Sequence, residues 1–263
     1  MTAAAQTLSR ARHGRPAAPV RIVHLGVGNF FRAHQAWYTE HAPDAAEWGI
    51  AAFTGRSAAV AEELRPQDGL YTLITRGPVG DEFEVISSLS AVHSAEEHAA
   101  LLGYFRSPAL AIVTLTVTEA GYRRGADGGL DLAAADVAAD LAALRAAPDA
   151  AVRTAPGRLV GGLLARRAAG LGPLAIVSCD NLSGNGEALA RVVYDLAVEV
   201  DQTLVGWIAA NVRFATTMVD RITPATTAEH RAAVRTALGI ADAAPVPTEP
   251  FAEWVIQGEF PAG

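Results

Sequence analysis

Glu119, Asn181 and Asp220 stand out in this 263-residue chain as side chains suited to chemistry, each inside a short polar cluster. Residues 114–121, Thr-Leu-Thr-Val-Thr-Glu-Ala-Gly, carry a hydrophobic stretch into Glu119. Residues 178–186, Ser-Cys-Asp-Asn-Leu-Ser-Gly-Asn-Gly, follow an apolar run. Their amides and hydroxyls can donate to a carbonyl or alkoxide oxygen, or accept from a hydroxyl. Asp and Asn also cap helices, so Asn181 or Ser183 has a second reading as the start of the helix that follows. Residues 213–224 set Asp220 beside Arg221 in an apolar frame. Buried charge is costly unless paired, so these two read either as an ion pair locking a loop or as a polar ligand contact.

A glycine turn adds a second kind of site. Gly26-Val27-Gly28 directly follows the apolar run Val20–Leu25 and precedes a helical stretch. In that context the glycines let a pyrophosphate approach the backbone, and the start of the helix favours the anion. Gly26, Val27, Gly28, Asn29, Phe30, Phe31 and Arg32 are therefore the expected cofactor-binding residues. The place where a third small residue would let helix and strand pack closely is taken by Phe31. An ordinary βα turn in a flavodoxin-like domain is the alternative. The second strand leads into Thr54-Gly55-Arg56-Ser57, with no carboxylate for the adenosine ribose of NAD. Arg56 could stack on adenine or pair with a 2′-phosphate, which leaves NAD and NADP both open.

The seven histidines make no zinc spacing, and no metal site is expected. His24 reads as core or sheet end and His34 as part of the first helix, while His41, His93, His98 and His230 are expected on surfaces. A single cysteine, Cys179, excludes an intrachain disulfide, fits a reducing cytosol and reads as a small core residue. The net charge of −7, with no long basic run, argues against nucleic acid as a partner. No apolar run approaches the roughly 18 residues that span a membrane. The expectation is a cytoplasmic monomer acting on a small molecule.

Short β-rich runs alternating with Ala-rich helical stretches predict an α/β fold with a mainly parallel sheet and flanking helices. The opening reads β-α-β-α: strand 20–25, helix 29–40, strand 49–54, helix 57–64. Residues 71–75 and 83–90 read as a strand pair, 95–105 as a helix and 110–117 as a strikingly apolar strand. Helices follow at 131–146 and 156–170, a buried strand at 174–178, and helices at 184–200 and 201–210. Residues 212–224 read as irregular, 228–238 as a helix, 241–250 as a Pro- and Ala-rich hinge and 254–256 as a strand. Residues 1–19 are expected as a flexible lead-in to one dinucleotide-binding domain over 20–263.

Four stretches together resemble the polyol-specific long-chain dehydrogenases, the family of mannitol 2-dehydrogenase and fructuronate reductase. They are IVHLGVGNFFRAHQAWY (22–38), QDGLYTL (67–73), TVTEAGY (116–122) with SCDNLSGNG (178–186), and TMVDRITP (217–224). The resemblance implies a Rossmann-type domain binding NAD or NADP, and metal-free hydride transfer at a secondary alcohol carbon. It implies that Asn181 stabilises the alkoxide in an oxyanion-hole role. Asp220 then falls at the substrate site, and Glu119 near the cofactor and the proton exit route. Phe31 stands where many members have His, and Ala215 where many have Pro. Residues 249–263 resemble the passage into a mostly helical C-terminal domain that carries the general base. On this reading the chain is a cofactor-binding half, inactive alone, of an enzyme acting on a polyol or a keto-sugar. Fructuronate or tagaturonate reductase and a non-catalytic NAD(H) sensor are the alternatives.

Overall fold

The computed structural model describes residues 6–261. The chain gathers into two compact units: residues up to Ser94 with Asp220–Glu253, and Ala95–Val219 with the residues from Trp254 on.

In the first unit Gly49–Phe53 lies parallel between Val20–Leu25 and Leu89–His93. All five residues of the middle strand are buried, as a strand covered on both faces requires. The helix expected over 29–40 is two helices, Asn29–Ala33 and Gln35–Glu40, broken at His34. The break seats the His34 ring with Nε2 2.8 Å from the Glu253 carbonyl oxygen.

The run expected as one strand over 83–90 is split. Gly80–Ile86 forms an antiparallel hairpin with Tyr71–Gly77, and Leu89–His93 joins the parallel sheet. Between them Ser87 N–H donates to Glu40 at 2.8 Å and Ser88 Oγ to the Ala36 carbonyl at 2.8 Å. These tertiary bonds stabilise a crossing that periodicity does not register.

Residues 6–19 are not the expected loose lead-in. Gln6–Thr7 pairs in parallel with Ile240–Ala241, and Leu8 is buried in a cluster with Leu70, Ile74, Val234 and Ile240. Arg10 donates to the carbonyl oxygens of Arg15 and Leu89, both at 2.6 Å. Nor are residues 241–250 a hinge. Val246–Thr248 runs parallel to Tyr71–Gly77, and Asp242 is buried beside it. Its carboxylate accepts from Thr72 N–H at 2.6 Å, Ala244 N–H at 2.8 Å and Gln67 Nε2 at 2.9 Å. Composition signalled a flexible stretch; one buried acid converts it into core.

In the second unit Leu174–Ser178 lies parallel between Ile112–Leu115 and Val212–Asp220. The last of these was expected to be irregular. From Ala215 on it alternates, with Ala215, Thr217 and Val219 buried and Met218 and Asp220 exposed. Thr217 hides the pattern because its hydroxyl is buried against the Ser178 carbonyl, at 2.6 Å. The helix Asn185–Val200 approaches this strand closely: a Cβ on Gly186 would sit 2.6 Å from the Ala215 carbonyl. The helix Ala155–Ala168 is capped by Thr154, whose Oγ accepts from Gly157 N–H. His98, expected on a surface, is buried at the start of the helix His98–Phe105.

The architecture is a Rossmann-like α/β fold with a mainly parallel sheet. Among the described residues no helix is long and apolar enough to cross a membrane.

Candidate functional site

The glycine turn belongs to the first unit. Gly26 has φ 110°, a left-handed-side conformation that favours glycine. Its N–H and that of Val27 both donate to the Phe53 carbonyl, at 2.9 and 3.0 Å. The turn is thus tied to the end of the neighbouring strand. Gly28 is different. It is extended, with φ −134°, and a Cβ there would meet nothing nearer than the Gly26 carbonyl oxygen at 3.7 Å. Nothing within the chain requires glycine at 28, so the space beside it fits the backbone approach that a pyrophosphate needs.

The side chains that follow mostly face the protein. Phe31 is fully buried and stacks on His24, and Phe30 stacks on His34 at 5.0 Å. Arg32 is buried, donating to the Ala244 carbonyl and to Asn29 Oδ1, each at 2.6 Å. Burial lowers its pKa. Asn29 Nδ2 donates to the Pro224 carbonyl at 3.0 Å. Phe31 and Arg32 were expected at the cofactor, but their side chains are engaged inside the protein and shape the turn from behind. Arg56 is exposed just beyond Gly49–Phe53.

The second unit holds a cavity of about 400 Å³ beyond the carboxyl end of Leu174–Ser178 and alongside the last residues of Val212–Asp220. That is where ligands gather in open α/β sheets. Asp180, Asn181, Ser183, Thr216, Met218 and Gln257 are among its lining residues. Asn181 is exposed, and among the described residues no hydrogen bond engages its side chain. The helix Asn185–Val200 begins at Gly184 without a side-chain cap, so neither Asn181 nor Ser183 has the capping role.

The scaffold is Asn185, which sequence reasoning passed over although it stands in the same motif. It is fully buried; Nδ2 donates to the carbonyls of Asp180 at 2.9 Å and Thr217 at 3.1 Å. Its Oδ1 accepts from Thr217 N–H at 3.0 Å. One amide therefore holds the 180s loop to the neighbouring strand. Tyr122 and Asp180 were also missed: the buried Tyr122 hydroxyl donates to Asp180 Oδ2. Burial pushes the Asp180 carboxyl above its usual range, against the pull of that hydrogen bond.

Glu119 opens the 3-10 turn Glu119–Tyr122 and is exposed; it is not among the residues lining the Asn181 cavity. It lines a separate surface depression with Arg123 and Arg124. Asp220 ends its strand exposed. The expected pair with Arg221 does not form. The Arg221 guanidinium donates to the carbonyls of Ala33 at 2.5 Å and Glu249 at 3.2 Å, and stacks over Trp37 at 4.6 Å. Cys179 is buried, and burial drives its thiol pKa up, which suits a core residue rather than a nucleophile. Among the described residues no cluster of His, Cys, Asp or Glu could hold a metal.

Residues 20–263 match the family described as the mannitol dehydrogenase Rossmann domain. The chain belongs to the mannitol dehydrogenase family. Mannitol 2-dehydrogenase of Cereibacter sphaeroides is 40% identical, the match covering 98% of this chain and 54% of that protein. D-arabinitol 4-dehydrogenase of Ralstonia nicotianae is also 40% identical, over 94% of this chain and 53% of that one. The solved complex of Pseudomonas fluorescens mannitol 2-dehydrogenase with NAD and D-mannitol superposes with a TM-score of 0.84 at 37% identity, covering 91% of this chain and 49% of that one. This mannitol dehydrogenase family chain thus spans about half the length of the relatives it matches.

Proposed function

We propose that this chain, over residues 20–263, is the cofactor-binding domain of an NAD-dependent oxidoreductase that interconverts a sugar alcohol and a ketose. The observation that carries the reading is the open backbone at Gly28, in a strand-turn-helix unit of a family whose solved relative is a complex with NAD and D-mannitol. The residues that would hold the cofactor are Gly26, Val27, Gly28 and Asn29, with Phe30, Phe31 and Arg32 shaping the turn and Arg56 at the adenosine end. When bound, the nicotinamide supplies hydride acceptance or donation. Asn181 donates from its amide to the oxygen that gains charge, an interaction worth more in the transition state than in the ground state. Asp220 accepts from a substrate hydroxyl, and Glu119 carries the proton outward.

The cavity lining suits hydroxyl groups, which a polyol and a keto-sugar acid both present. Asn181, Ser183, Thr216 and Gln257 are neutral hydrogen-bonding groups, and the one charged lining residue is the acid Asp180. Arg56 keeps NADP open as the second cofactor. We further propose a cytoplasmic monomer.

Fluorescence titration with NADH and NADPH tests the cofactor assignment, with NADH binding expected and no binding of either rejecting it. Polyol turnover is tested in a polypeptide joining these residues to a family C-terminal half. There Asn181→Ala should lower kcat roughly 10²-fold with NADH affinity unchanged. NADH binding without turnover of any polyol would leave a non-catalytic NAD(H) sensor instead.

A further inference from the structure

Two loops that carry proposed chemistry are joined by one hydrogen bond whose partners neither role explains. Tyr122 closes the turn Glu119–Tyr122, and its ring is fully buried. Its hydroxyl donates to Asp180 Oδ2, while Asp180 Oδ1 accepts from Leu182 N–H at 3.1 Å. The Asp180 carbonyl is held in turn by Asn185 Nδ2 at 2.9 Å. Asp180 is therefore fastened at carboxylate and backbone together, and Asn181 is the next residue.

The other partner is constrained as tightly. Gly121 N–H donates to the Thr118 carbonyl at 2.7 Å, and a Cβ on Gly121 would already touch Val117 at 3.0 Å. The turn exits through Arg123 at φ 57°, a left-handed conformation that a non-glycine residue holds only when its surroundings enforce it. Arg123 is in turn paired with Asp136 at 2.5 Å. The free ends of this assembly are the exposed side chains of Glu119 and Asn181.

We propose that Tyr122 and Asp180 are positioning residues, whose hydrogen bond locks the Glu119 turn to the Asn181 loop so that both side chains are presented from fixed backbones. The inference rests on the functional reading for the purpose of the lock, but not for its existence. A lock of this kind lowers the loss of loop freedom on binding, which is how preorganised groups gain effect. Asp180 touches the cavity, yet its oxygens are taken by Tyr122 and Leu182; its part is to aim Asn181.

The test is hydrogen exchange on this chain and its variants, with NADH binding measured on the same samples. Tyr122→Phe keeps the buried ring and removes only the hydroxyl. It should speed amide exchange about tenfold in residues 119–123 and 181–184, leave the strand Leu174–Ser178 protected, and weaken NADH-dependent shifts of the Asn181 side-chain amide resonances. Asp180→Asn keeps one acceptor oxygen where the carboxylate has two, for the Tyr122 hydroxyl or the Leu182 N–H, and should retain part of the wild-type protection, whereas Asp180→Ala should retain none. Unchanged loop exchange in Tyr122→Phe overturns the proposal. So does Asp180→Asn matching Asp180→Ala, a comparison that holds even if Tyr122→Phe proves globally unstable. A wild-type chain that shows the lock yet binds no NADH supports the lock and rejects the cofactor reading.

Discussion

Phe31 lies flat against His24, their ring centroids 3.5 Å apart and their planes 8° from parallel. Both side chains have no solvent exposure. At the position where a small residue would bring helix and strand together, this chain inserts two stacked rings. The helix–strand contact behind the glycine turn is thus aromatic, which explains how Phe31 can stand in this motif. Aromatic pairs add about 0.5–1.5 kcal/mol beyond the area they bury.

Phe31→Ala should destabilise the chain by about 3–5 kcal/mol, because it removes a fully buried ring and leaves a cavity against the His24 ring. Urea unfolding followed by circular dichroism measures this. A loss below about 1 kcal/mol would mean that the turn does not depend on the stack.

The same contact makes stability pH-dependent. Burial lowers the His24 pKa from 6.5 to about 3, so the folded chain holds this imidazole neutral. The unfolded chain binds the proton first as pH falls below 6.5. His24 therefore favours the folded state fully above that pH, and its contribution is lost as pH drops towards 3. The limiting slope is about 1.4 kcal/mol per pH unit. His34 and His98, also lowered by burial, add in the same direction. Unfolding midpoints should fall between pH 7 and pH 5, and less so in His24→Gln. An identical acid limb in wild type and variant would contradict the assignment.

The two glycines of the turn should separate stability from binding. Gly28→Ala adds a methyl group to open space and should shift stability by less than about 1 kcal/mol while weakening NADH binding tenfold or more. Gly26→Ala forces a side chain onto φ 110° and should cost about 1–3 kcal/mol of stability. Unfolding curves and NADH titrations on both variants decide the matter; equal NADH affinity in Gly28→Ala and wild type would remove the pyrophosphate from this turn.

The two asparagines of the second motif should divide likewise. Asn185→Ala leaves buried carbonyls and one N–H without a partner, a loss of about 1–3 kcal/mol or more. Among the described residues Asn181→Ala removes no side-chain hydrogen bond, and it should leave the unfolding midpoint where it was. A destabilised Asn181→Ala would place that residue in the scaffold.

Asp242→Ala should be among the most damaging single changes, since it strands the Thr72 and Ala244 N–H groups and removes one of the two acceptors of Gln67 Nε2, which keeps the Leu70 carbonyl. A loss of at least about 3 kcal/mol is expected. Denaturant titration measures it, and Asp242→Asn should recover part of the loss.

How far the sequence could be read differs from segment to segment. Leu174–Ser178 was legible because burial on both faces favours a continuous apolar run, and Val20–Leu25 because its β-branched and apolar residues dominate despite Arg21 and His24. Val212–Asp220 was not, because its inward threonine is satisfied by Ser178, a residue remote in sequence. Of the two readings of Asp220 and Arg221, the ion pair fails for a similar reason: adjacency in the chain says nothing of the Ala33 and Glu249 carbonyls that hold the guanidinium. Residue type alone could not distinguish Asn181, exposed in the cavity lining, from Asn185, which is fully buried.

By itself, the sequence determined the α/β alternation, the glycine turn after the first strand, and the motifs that mark the family. These depend on local periodicity and on residues whose backbone freedom is intrinsic. Only the tertiary structure decided which polar groups are spent inside the protein and which stay exposed. Asn185, Asp242, Arg32 and Arg221 are consumed by partners tens to hundreds of residues away or by their own turn, while Asn181 and the open face of Gly28 remain available. A buried polar group must find its hydrogen bonds wherever the fold brings them, and that depends on which segments meet in space rather than on chain order.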